Sequence, residues 1–402
     1  MIKEKIGYSY NDLTIVPCTI SDITSRSECN PFYKDNKLPI FASCMSTVVD
    51  DTNIDKFIEN GITPIVPRNI PLLTRISLMH LGHFIAMSMG EFEDYFITNI
   101  DREFHNQPLM YQGKTFNVCI DIANGHMKKL YELTVRAKQI ANDLGYNLII
   151  MTGNIANPQT YKWICDNTKY FNKKTNLYER SVDYIRLSIG TGAQCTTSSN
   201  TSIHYPIATL IDECYKIKKN LMNILERVDA YNDEYKYYES TFPKLVADGG
   251  IRNYSDVIKA LALGADYVMI GSLFAGMYES AAPLILGKYN HCGYLEYFDC
   301  DYQYTSEEKK RNDIKNRNLY KECYGMSTKK AQELIDPNKS KKTAEGKHSI
   351  IKVQYTINQW TENMIDYLKS AMSYCGARTL NEFISKSDLM INSSGAINSV
   401  NK

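Results

Sequence analysis

A chain of 402 residues can bury a large core, and its 46 lysines and arginines nearly cancel 45 aspartates and glutamates, leaving a net charge of +1. No global field draws it to nucleic acid or to a membrane surface, so an anionic ligand must be held by a local site. Eleven cysteines with no CxxC pair and no ligand-like spacing to histidine indicate neither a disulfide framework nor a zinc centre, and they suit a reducing cytosol.

The first residues carry no apolar signal segment and no run is long enough to cross a bilayer, so a soluble cytoplasmic protein is expected. Beyond an N-terminal segment containing Leu13-Thr14-Ile15-Val16-Pro17, short apolar runs at 38–44, 62–66, 84–89, 115–121, 148–153, 184–189, 244–248 and 267–271 read as strands. Helical patterns fall at 52–60, 72–81, 91–100, 127–144, 158–166, 207–220 and 254–263, with another expected at 275–286. Short buried runs alternating with amphipathic helices imply parallel strands joined by crossovers. Eight such units close a (β/α)8 TIM barrel, here expected as a single catalytic domain over 1–402.

Two polar stretches, 167–181 and 221–242, look inserted and are expected to be solvated loops or surface helices. The charged, aromatic-dotted segment at about 288–347 reads either as a mobile flap over the site or as a simple linker. Amphipathic stretches at 360–371 and 376–383 should return to the barrel wall.

In such a barrel the chemistry sits on loops leaving the C-terminal ends of the strands. The residues that cluster there are Cys44, Met45, Arg68, Asp121 to Gly125, Gly153-Asn154, the Gly190 to Thr197 loop, Asp248-Gly249-Gly250 and Gly271-Ser272. Glycines let a backbone fold tightly against a ligand, and a cysteine on such a loop becomes a nucleophile once deprotonated; the alternative for Cys195 is an inert packing thiol. The Asp248-Gly249-Gly250 and Gly271-Ser272 turns leave the seventh and eighth strands, where many barrels hold a phosphate on backbone amides. Asp248 would suit the hydroxyls of a ribose, or else it caps the next turn. A phosphorylated nucleoside fits this pattern.

These residues also carry a family resemblance. Ile189-Gly190-Thr191-Gly192-Ala193-Gln194-Cys195-Thr196-Thr197, Ala247-Asp248-Gly249-Gly250-Ile251-Arg252, 264–273 and Tyr324-Gly325-Met326-Ser327 resemble, in order, motifs of the IMP dehydrogenase and GMP reductase family. The resemblance implies that Cys195 attacks C2 of a purine nucleotide while a nicotinamide cofactor exchanges hydride at that carbon. Ser25-Arg26-Ser27-Glu28, Asp121-Ile122-Ala123-Asn124-Gly125-His126 and Thr343-Ala344-Glu345-Gly346-Lys347 look like reductase motifs, and the Arg-Tyr dipeptide of the dehydrogenase flap is absent from the chain.

The reductase branch implies NADPH-dependent deamination of GMP to IMP, with Cys195, Thr197 and Glu345 catalytic. Carried over by position, Asp248, Gly249, Gly250, Gly271 and Ser272 meet phosphate and ribose, and Gly325, Met326, Ser327, Glu345 and Gly346 face the base. Ser25, Arg26, Arg68, Asp121, Ala123, Asn124, Ile189 and Gly190 meet the cofactor, with a further contribution from 370–373. The carbonyls of Gly190, Gly192 and Cys195 match those that hold a monovalent cation, K+, in the family, whose barrels commonly assemble as homotetramers. Thr191 and Ser198 depart from the family's proline and arginine, and Ser46 stands where an aspartate is usual. The alternatives are an IMP dehydrogenase lacking regulatory domains, converting IMP to XMP with NAD, or a weakly active purine-nucleotide-binding scaffold.

Overall fold

The computed structural model describes residues 5–98, 112–229, 242–289, 295–299, 314–315, 318–326, 328–335, 346–393 and 395–397. In chain order its strands are β1 (Leu13–Val16), β2 (Ile40–Ala42), β3 (Thr63–Val66), β4 (Phe84–Met87), β5 (Thr115–Ile120), β6 (Asn147–Ile155), β7 (Lys169–Asn172) and β8 (Leu177–Arg180). There follow β9 (Tyr184–Leu187), β10 (Lys244–Asp248), β11 (Tyr267–Ile270), β12 (Leu284–Tyr289), β13 (Leu295–Asp299), β14 (Leu319–Tyr324), β15 (His348–Lys352) and β16 (Asp388–Ile391).

Strands β2, β3, β4, β5, β6, β9, β10 and β11 close into a parallel barrel in that order. They coincide with the eight apolar runs. Both faces of each strand are covered, one by the barrel interior and one by helices, which is why the runs are nearly continuously apolar. The helix Lys128–Leu144 shows how the outer layer forms: Leu130, Tyr131, Leu133, Thr134, Ala137 and Ala141 recur at helical spacing and are buried. It stops at Gly145, whose φ of +80° is the left-handed conformation that glycine adopts without strain. The helix Pro158–Asn167 starts where the Asn157 side chain accepts from the backbone N–H of Gln159, with proline in its first turn.

Inside the barrel, Phe41, Phe84, Tyr184 and Tyr267 pack ring on ring, with centroids 4.9 to 6.0 Å apart. Phe84, Tyr184 and Tyr267 are the first residues of their strands, so this aromatic layer fills the N-terminal end and leaves the opposite mouth for ligands.

Two expectations are corrected. The helix at 275–286 does not form: a short helix Ser272–Ala275 gives way to a turn through Gly276 and Pro283, then to β12. The 167–181 stretch is neither loop nor surface helix but an antiparallel hairpin, β7 with β8. Part of 221–242 extends the preceding helix, which runs Ile207–Asp229, and 230–241 lies outside the described residues. Within 288–347, the described residues include β13 and β14, which join β12 and β15 in a four-stranded antiparallel sheet of order β13-β12-β14-β15, so the segment is more than a linker. The two ends of the described chain meet as β1 pairs antiparallel with β16. Among the described residues no helix is long and apolar enough to cross a membrane.

Candidate active site

The loop after β9 is held by its own donors and acceptors. Gly190 has φ +74°, and a Cβ there would lie 2.7 Å from the Cβ of Ser198, so only glycine fits. The Ser198 hydroxyl donates to the Gly190 carbonyl at 2.8 Å, and the Cys195 N–H donates to the Gly192 carbonyl at 2.9 Å. Thr191 meets the Ser188 hydroxyl, and Ser188 itself sits at φ +117°. The turn that results sets the Cys195 thiol, which is partly exposed, 3.2 Å from the hydroxyl of Thr197. The predicted pair is therefore brought together.

Across the mouth, the chain beyond 345 is laced to this loop. Cys195 and Gly346 form an antiparallel bridge, and the Lys347 N–H donates to the Gln194 carbonyl at 2.8 Å. The Gln194 amide reaches Ser349 on β15 at 2.7 Å. Gly325 lies against Gln194, where a Cβ would come within 3.0 Å of the Gln194 carbonyl oxygen. The Ser46 N–H points at the Met326 sulfur at 3.3 Å. Glu345 and Ser327 lie outside the described residues.

Behind the loop is a buried ionic network. Asp248, the last residue of β10, accepts from Arg186 Nε at 2.9 Å and from Asn154 at 2.7 Å through the same oxygen. Arg186 Nη1 also reaches Asp121 at 3.0 Å, and Arg68 stands 3.3 Å from the other oxygen of Asp121. Burial pushes the Asp121 carboxyl up, but Arg186 and then Arg68 overcome this and hold it below the usual carboxylate range. Asn154 is among the strand-end residues the sequence singles out, whereas Arg186 is not; a charge inside an otherwise apolar strand is the available signal for it.

Two glycines follow Asp248 in left-handed conformations, Gly249 at φ +103° and Gly250 at φ +75°. A Cβ on Gly249 would strike the Thr191 hydroxyl at 2.7 Å, so the turns after β9 and β10 are in contact. Gly271, at the end of β11, packs equally closely on Met45, and Ser272 begins the short helix beyond it.

The residues matched to a cofactor fall in two groups. Arg68 and Asp121 belong to the mouth, where Ala123 and Asn124 follow on the loop after β5, as Ile189 and Gly190 do after β9. Ser25 and Arg26 are exposed on a short N-terminal turn, and Arg26 reaches Ser370 at 3.3 Å and Asp366 at 3.5 Å on the helix Ile357–Tyr374. The structure joins Arg26 to the expected 370–373 segment.

A family model described as the IMP dehydrogenase / GMP reductase domain matches residues 97–401. The chain belongs to this family. It is 25% identical to the GMP reductase of Helicobacter pylori strain J99, over 96% of each chain, and 25% identical to that of Bacillus subtilis strain 168, over 93% of each. It is 28% identical to the inosine-5'-monophosphate dehydrogenase of Chlorobaculum tepidum over 66% of this chain, which spans 43% of that protein's length.

Among the described residues, Ser46 Oγ, Asn69 Oδ1 and Gln194 Oε1 are buried without a hydrogen bond, and Arg68 Nε makes none beyond its ion pair with Asp121; all stand on loops at the barrel mouth. Buried polar atoms are almost always satisfied, so this set fits a polar ligand. The carbonyls of Gly190 and Gly192, matched to a cation site, each accept one hydrogen bond within the loop, from Ser198 and Cys195.

Proposed function

We propose that the protein is a GMP reductase, carrying out NADPH-dependent reductive deamination of GMP to IMP and ammonia. The observation that carries the reading is the 3.2 Å contact between Cys195 and Thr197 on a loop bridged to Gly346, the residue that follows Glu345 in sequence. The near-complete coverage of GMP reductase chains supports this branch over the dehydrogenase.

Cys195, as thiolate, adds to C2 of the purine, and Thr197 with Glu345 manages the proton that turns the 2-amino group into leaving ammonia. Collapse of the adduct leaves a thioimidate between Cys195 and C2. NADPH, when bound, supplies a hydride to that carbon. The thiolate is then expelled and IMP released, so one hydride and two protons are consumed for each ammonium ion formed. Asp248 would hold the ribose, oriented by Arg186 and Asn154, and backbone amides at Gly249, Gly250, Gly271 and Ser272 would receive the phosphate. Arg68, Asp121 and Asn124 at the mouth are the residues that would hold the cofactor.

The test is to incubate the protein with GMP and NADPH, following loss of NADPH absorbance and release of ammonia. Cys195→Ala should abolish both. NADH formed from IMP and NAD, without reductive deamination, would point to the dehydrogenase instead, and nucleotide binding that survives Cys195→Ala with no turnover in the parent would point to a scaffold.

A further inference from the structure

A cavity of about 420 Å³ opens beside the loops that follow β10 and β11. Its near wall includes Ala193 and Ser272; its far wall includes Tyr355 and the buried ring of Trp360, which stacks on Tyr254 with centroids 5.3 Å apart and planes inclined by 21°. Arg252 and Lys352 also line it, and no aspartate or glutamate does so among the described residues. The nearest carboxylate in sequence, Asp256, is buried and accepts the backbone N–H of Arg252 at 2.9 Å.

Two exposed cations on a concave wall that carries no carboxylate among the described residues favour a ligand that carries more than one negative charge. The helix Tyr254–Ala262 adds to this field, because its N-cap Asn253 lines the same cavity. Position narrows the class further. Ser272 belongs both to the cavity wall and to the set that would receive the nucleotide phosphate, so the cavity begins where a nucleoside monophosphate would end.

We propose that this cavity is a subsite for a second phosphate, and that the protein binds purine nucleoside 5′-diphosphates more tightly than monophosphates, with Arg252 and Lys352 holding the terminal phosphate. The inference rests on the purine-nucleotide reading above. Chemistry at C2 is unaffected, because the added phosphate is at the opposite end of the nucleotide. The volume exceeds that of one phosphate, at roughly 30 Å³ for each water that could accompany it, so the group is bound with part of its hydration shell.

Calorimetric titration of the full chain with GMP and with GDP tests this, using the wild type and the Arg252→Ala/Lys352→Ala double variant. Wild type should bind GDP at least about tenfold more tightly than GMP, and the double variant should lose that preference while its GMP affinity stays within about twofold. Equal or weaker binding of GDP by the wild type overturns the proposal and leaves the GMP reading standing, and so does a double variant that keeps the preference. If neither nucleotide binds, the purine-nucleotide reading falls and takes the proposal with it.

Discussion

The guanidinium Nε of Arg186 lies 2.9 Å from the carboxylate of Asp248. The same side chain reaches Asp121, so one buried cation neutralises two carboxylates that face the barrel mouth. Removing one partner of a buried ion pair is costly because the other charge is left unpaired, by about 3–5 kcal/mol. Arg186→Leu should therefore lose stability on that scale in urea unfolding. Asp121 is held below the usual carboxylate range in the native state, so its contribution is present above its unfolded pKa and is lost as pH falls through the folded value. The gap between wild type and variant should accordingly narrow toward acid. A gap that stays constant with pH would contradict the ion-pair account.

Two glycines of the cysteine loop should behave differently on substitution. Gly190 is left-handed and its added Cβ meets Ser198 at 2.7 Å, whereas the nearest atom to a Cβ on Gly192 is the Cβ of Cys195 at 3.7 Å. Gly190→Ala should cost about 1–3 kcal/mol, the range for a strained backbone position. Gly192→Ala should stay within roughly 0.5 kcal/mol by thermal unfolding. Equal effects would mean that the loop does not hold this conformation.

The barrel was legible because each strand is a short apolar run buried on both faces, a local property. Strand β14 was not, because Lys321 and Glu322 interrupt its period and its partners β12 and β15 come from distant parts of the chain. Arg26 and Ser370 are 344 residues apart in sequence, so no spacing could reveal their contact. Cys195 and Thr197 were readable because two residues on one tight loop can only be near each other. Arg186 is hidden because Ile185 and Leu187 on either side give the stretch the apolar character of a buried strand.

The Thr197 hydroxyl oxygen accepts the hydrogen bond of the Cys195 thiol. Thr197→Val keeps the shape and removes the hydroxyl that would carry the proton in the proposed reaction. It should lower kcat for GMP reduction by about 10²- to 10⁴-fold, the usual worth of positioned proton transfer, while KM for GMP changes little. Steady-state kinetics separate the two constants. A rise in KM at unchanged kcat would assign Thr197 to binding instead.

Lys321 is buried in β14, and its ammonium donates to the carbonyls of Ser280 at 2.9 Å and Ala282 at 2.7 Å, tying the sheet to the turn before β12. Burial pushes its pKa from 10.5 down to about 8, with Glu279 and Asp50 opposing the shift. The native state releases this proton at lower pH than the unfolded chain, so between those two values the unfolded state binds more protons and stability from this group rises with pH. At neutral pH both states are charged and the full desolvation cost is present. Urea unfolding of wild type and Lys321→Met across pH 7 to about 10 isolates the effect from the other titrating groups. Wild type should gain stability relative to the variant as pH passes about 8. Parallel curves would show that Lys321 titrates alike in the folded and unfolded chain.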